Sequence, residues 1–169
     1  MKKILYFICP TDYLEPIINN TFKQENYYYS SLGNSTSFDN NLLEQTKNII
    51  KTKKINEISF VLSNDNRIVL DALEDQCYAE ILCLKSLHDQ ILEQKKHSKI
   101  SWQTWNDQYL ILSAFLNSKI KELKLGLADL LSVDQIKING SVYNRQKHVF
   151  KDIYSDLIIM GYPGFNFHQ

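Results

Sequence analysis

Between Lys3 and Cys9 the chain runs through five apolar residues in succession, Ile4, Leu5, Tyr6, Phe7 and Ile8. A run with no position alternating out to water is the pattern of a strand buried on both faces of a parallel sheet. We read it as the first, central strand. Pro10, Thr11 and Asp12 then supply a turn and a helix cap, and Leu14, Ile17, Ile18 and Phe22 follow at helical spacing. Pro16 falls in the first turn of that helix, where its missing N–H costs little. The aromatic run Tyr27-Tyr28-Tyr29 predicts a second strand. It exits through Ser30-Ser31-Leu32-Gly33-Asn34-Ser35, in which Gly33 and Asn34 both tolerate positive φ.

A helix opens at Asp39 or Asn40, with Leu42, Leu43, Thr46, Ile49 and Ile50 on one face and Lys47, Lys51, Lys53 and Lys54 on the polar side and at the C-terminal end, where they suit the helix dipole. Ile58 to Leu62 is the third strand, followed by the polar loop Ser63-Asn64-Asp65-Asn66. From Ile68 through Ala72, Cys77, Ile81 and Leu87 to Leu92 the apolar spacing predicts one long or kinked helix. Lys95 to Ser101 breaks the pattern. Trp102, Trp105, Tyr109, Leu112, Leu116 and Ile120 mark another amphipathic helix, and Leu123 to Leu131 a shorter one. Gln135 to Tyr143 and His148 to Tyr154 pair as a hairpin across Asn144-Arg145-Gln146-Lys147. Leu157 to Met160 is a further apolar run before an irregular tail. Strand and helix alternate three times, which predicts a three-layer α-β-α domain: a mainly parallel sheet in the order 2-1-3-4 with a late edge strand.

Composition adds limits. At 169 residues, 44% hydrophobic and 22% charged, the chain suits one domain over 1–169. Nineteen basic and nineteen acidic residues cancel, so no global field recruits nucleic acid or an anionic membrane surface. The lysines from 47 to 54 have no interleaved aromatics to stack bases and read as a solvated helix face. The first apolar run stops at Pro10, too early for a signal core or a membrane span, which predicts a cytoplasmic protein. Cys9, Cys77 and Cys83 are odd in number and lack close pairing, as reduced thiols do. No glycine-rich phosphate loop follows any strand, which disfavours a nucleotide binder.

In an open α/β sheet, chemistry gathers in the crevice beyond the strand ends. There the chain places Cys9, Asp12, Gly33, Asn34, Ser63 and Asn66. Cys9 reads as a nucleophile or a redox thiol, against the plainer and favoured reading of a small buried residue. Asp12 reads as a general base or, preferred, as a helix cap. Ser63 and Asp65 have no nearby histidine to complete a relay, so capping of the helix at Arg67 is expected instead. Cys77, Cys83 and His88 do not share a helix face within reach of one ion, which leaves core packing and a surface imidazole. Trp102, Trp105 and Tyr109 are expected in the core or at a subunit interface rather than as a ligand platform.

These strand-end segments resemble the β-class carbonic anhydrases, in order along nearly the whole chain. That family carries Cys-x-Asp-x-Arg after the first strand, Arg-Asn-Ala-Gly-Asn after the second and His-x-x-Cys after the third. The corresponding stretches are Cys9-Pro10-Thr11-Asp12-Tyr13, Ser30-Ser31-Leu32-Gly33-Asn34 and Ser63-Asn64-Asp65-Asn66. Ile138-Asn139-Gly140-Ser141-Val142-Tyr143-Asn144 is similar to the family's later hydrophobic-x-Gly-x-Val-Tyr-Asp strand. The resemblance implies the family's fold and dimerisation through N-terminal and sheet-edge contacts. It also implies a zinc ion held by two thiolates and an imidazole, yet only Cys9 remains of that set. Ser63 stands at the histidine position and Asn66 at the second cysteine, neither a competent ligand in a sulfur and nitrogen site. Tyr13 replaces the arginine that would orient the aspartate, and Asp12 falls one residue late. The expectation is a homodimer with no metal, cofactor or hydratase residues, acting as a binding or interaction module. The alternative is a metal-free enzyme acting on a small anion or carbonyl compound in the crevice, with the amides at the start of the Arg67 helix stabilising negative charge.

Overall fold

The computed structural model describes residues 1–97, 105–132 and 135–154. Trp102, the apolar run at 157–160 and the tail beyond it lie outside the described residues. Five strands, β1 (Lys3–Ile8), β2 (Glu25–Ser30), β3 (Glu57–Ser63), β4 (Lys137–Asn144) and β5 (Val149–Asp152), form one sheet in the order β2-β1-β3-β4-β5. The first four are parallel and β5 returns antiparallel to β4. This is the order expected, including the late edge strand.

The central strands of the sheet are buried on both faces, and the period of two divides their side chains between two cores. Leu5, Phe7, Ile58, Phe60 and Leu62 enter the larger core with α2 (Asn40–Lys53), α3 (Arg67–Leu73), α4 (Lys85–His97), α5 (Trp105–Gly126) and α6 (Ala128–Leu131). Ile4, Tyr6, Ile8, Val61 and Tyr143 enter the smaller one with α1 (Glu15–Thr21). Phe7 pairs in register with Phe60, their rings stacked at 4.7 Å, and Phe38 meets both edge-on. Such contacts add to the burial energy of rings that are already wholly desolvated. Asp39 caps α2 by accepting the Leu42 N–H at 2.8 Å. None of the described helices is long and apolar enough to cross a membrane.

Three expectations are corrected. The helix predicted from Ile68 to Leu92 is two helices, α3 and α4, separated by an exposed excursion. The Asp71 carboxylate accepts the backbone N–H groups of Cys77 and Tyr78 at 2.8 and 3.0 Å, and Gln76 takes a left-handed conformation, so hydrogen bonding that a helix would keep inside its own ladder goes to a side chain. The periodic residues Cys77 and Ile81 are consequently exposed. His88, expected at the surface, is buried, with Nε2 3.5 Å from Asp71. The apolar stretch from Leu123 does not begin a new helix: α5 runs through it to Gly126, and α6 adds one turn.

Candidate functional site

The strand ends build the crevice. After β1, Pro10–Asp12 form a single 3-10 turn that ends at Tyr13 in the left-handed region, φ 53°. That turn throws Tyr13 outward, 77% exposed, and brings Asp12 inward, 1% exposed. Asp12 is therefore not the cap expected for α1, whose cap position is Leu14 and carries no side-chain bond. Its carboxylate crosses to the loop after β3. Oδ2 accepts the Ser63 backbone N–H at 2.8 Å and Oδ1 accepts the Asn66 side-chain amide at 2.8 Å. Capping of α3 falls to Asn66, whose Oδ1 accepts the Val69 N–H at 3.0 Å, while the Ser63 hydroxyl donates to Asp65.

Burial pushes the Asp12 carboxyl up to about 6. The bonds from Ser63 and Asn66 pull the other way without cancelling it; nearby Asp65 reinforces the rise and Arg145 opposes it. The second half of the crevice hangs on the loop after β2. Gly33 and Asn34 adopt φ of 60° and 55°, the conformations their residue types favour. The Gly33 N–H donates to Cys9 Sγ at 3.0 Å, and the Thr11 hydroxyl lies 3.0 Å from the same sulfur. Asn34 donates to the carbonyls of Phe7 and Val61 at 3.2 and 3.1 Å, tying the ends of β1 and β3 together.

All six candidate residues thus gather at the strand ends, in two groups: Cys9, Gly33 and Asn34, and Asp12, Ser63 and Asn66. All six are buried. One participant was missed. Arg145, in the turn after β4, donates from Nε to Asp65 at 2.9 Å and from Nη2 to the Asp12 carbonyl at 2.7 Å. No local signal marks it, since an arginine in a polar hairpin turn is commonplace and its partners lie 80 and 133 residues away.

No family model matches this chain, and no curated protein matches it in sequence. Solved structures do. One of two tetrameric β-carbonic anhydrases from the ascomycete Sordaria macrospora superposes with a TM-score of 0.71 at 14% identity, covering 90% of this chain and 80% of that one. The β-carbonic anhydrase CafD of Aspergillus fumigatus gives 0.72 at 16%, covering 91% and 90%. The Coccomyxa β-carbonic anhydrase in complex with acetazolamide gives 0.68 at 15%, covering 90% and 72%. The fold is that of the β-carbonic anhydrases.

The zinc that the resemblance implies does not fit the residues present. Both polar ends of the Asn66 amide are taken, one by Asp12 and the other by the Val69 N–H. The Ser63 hydroxyl is held by Asp65. The one soft donor, Cys9 Sγ, stands alone among hydrogen-bonding neighbours. Among the described residues no three His, Cys, Asp or Glu side chains are grouped to hold a metal. A hydroxyl and an amide already engaged by protein donors and acceptors are poor replacements for imidazole and thiolate.

Proposed function

We propose that this chain is a zinc-free protein of carbonic anhydrase fold that does not hydrate carbon dioxide and works as a binding or interaction module. One observation carries the reading: Asn66, at the second thiolate position, spends both ends of its amide on Asp12 and on the cap of α3. Without a metal to lower the pKa of bound water, the hydroxide needed for hydration is not formed at neutral pH. The same burial tells against the alternative of a metal-free enzyme for a small anion or carbonyl compound. Cys9, Asp12 and Ser63 are 0%, 1% and 0% exposed, so neither the thiol, the carboxyl nor the hydroxyl meets a substrate in this conformation. The working parts on this reading are surfaces, and we extend it to a cytoplasmic homodimer folded as one domain over 1–169.

Metal analysis and stopped-flow hydration of carbon dioxide on the purified protein test the reading. Zinc well below stoichiometric and no turnover above the uncatalysed rate are expected. One zinc ion per chain with measurable turnover would overturn it.

A further inference from the structure

Arg145 belongs to neither hydrophobic core, yet it touches two strand-end loops at once. Its Nε lies 3.1 and 2.9 Å from the two Asp65 oxygens, and its Nη2 donates to the carbonyl of Asp12. Its own backbone N–H donates to Asn64 Oδ1 at 3.0 Å, Asn64 N–H donates to the Tyr143 carbonyl at 2.9 Å, and the Asn64 amide donates to Gln146 at 2.9 Å. The β4–β5 turn is thereby bonded to the loop after β3 on both sides of Arg145, and through Arg145 to the peptide joining Asp12 to Tyr13. A guanidinium suits this task because its donors lie in one rigid plane and reach Asp65 and the Asp12 carbonyl from different nitrogens, whereas an ammonium must serve all its acceptors from a single atom.

The position of these bonds matters as much as their number. The Arg145 and Asp65 side chains are 35% and 41% exposed, whereas Asp12 and Cys9 behind them are closed to solvent. The bonds lie at the solvent boundary, while Cys9 belongs to the larger core, so its exposure depends on a local opening of that boundary.

We propose that Arg145 is a positioning residue that clasps the crevice shut, holding the Pro10–Asp12 turn against the loop after β3 so that Cys9 stays sealed. The proposal rests on the zinc-free reading above, since with no metal joining the two loops the joining is left to hydrogen bonds.

Alkylation of Cys9 in the native protein reads the clasp directly. Cys77 and Cys83 are exposed and are replaced in a Cys77→Ser/Cys83→Ser background so that only Cys9 reports. In that background Cys9 is expected to be protected. Arg145→Ala should raise its labelling rate by about tenfold, the loss expected of a charge-assisted hydrogen bond, and Asp65→Ala by less, since the Nη2 bond to the Asp12 carbonyl survives it; adding Asp65→Ala to Arg145→Ala should change little more, because Asp65 acts on the clasp through Arg145. Arg145→Lys should fail to restore protection. Leu130→Ala serves as control: it truncates the core in α6, a helix tied to α2 by the Lys47–Asp129 pair, and should lower Tm while leaving Cys9 protected. Labelling unchanged by Arg145→Ala, or raised equally by Leu130→Ala, overturns the clasp. Zinc content of the same samples keeps the two ideas apart. Stoichiometric zinc defeats the zinc-free reading whatever Arg145 does, and a silent Arg145→Ala in zinc-free protein defeats the clasp alone.

Discussion

Both oxygens of Asp12 are turned to donors at the end of β3 and in the loop after it, and the carboxyl is almost wholly closed to water. Taking its charge out of solvent is unfavourable, which is why its proton is held up to about 6 against an ordinary value of 3.8. The folded protein then binds this proton more tightly than the unfolded chain does. Between those two values the folded state carries more protons, so stability falls as pH rises. Below the lower value the two states are equally protonated and nothing is lost; above the upper one the cost is complete, on the order of 3 kcal/mol. Urea unfolding followed from about pH 4 to pH 7 should therefore show a decline that Asp12→Asn removes, because the amide does not titrate. Parallel profiles for the two proteins would show that Asp12 is not the group responsible.

At the scale of elements, strands were more legible than loops. The runs at Ile4–Ile8 and Ile58–Leu62 are buried on both faces, and a doubly buried strand writes itself as unbroken hydrophobicity. The excursion from 74 to 83 kept a helical apolar rhythm while being exposed throughout, because its geometry is set by Asp71, one side chain whose bonds to amides six and seven residues on leave no periodic trace. Asp12 was misjudged for a similar reason: a cap and a buried crosslink look alike until the partner segment is placed. The six crevice residues could be found because they sit just past strand ends, whereas Arg145 could not be found without the fold. Asp71→Ala should release the excursion. Hydrogen exchange at the Cys77 and Tyr78 amides is expected to accelerate sharply, with a loss of only about 1 kcal/mol in global stability, since both donors lie on an exposed segment where water replaces the lost acceptor. Retained protection at both amides would show that something other than Asp71 holds the segment.

The whole molecule presents a sheet with two terminal strands, β2 and β5, each with one backbone edge unpaired among the described residues. Unpaired edges are sites where chains add to one another unless covered or charged. Equal numbers of basic and acidic residues leave no net repulsion to oppose such contact at neutral pH. Tyr78, Ile81 and Leu82 add apolar surface on the excursion, Leu82 being 86% exposed. Sedimentation velocity should accordingly show the proposed dimer at micromolar protein, and a monomer throughout that range would remove it. The reach of Arg145 also has a consequence in time. Its carbonyl partner Asp12 lies 133 residues earlier, so the bond waits on all of the chain between them. During synthesis β1, β2 and β3 leave the ribosome well before the β4–β5 turn does, so the bonds made by Arg145 are among the last that these loops can form.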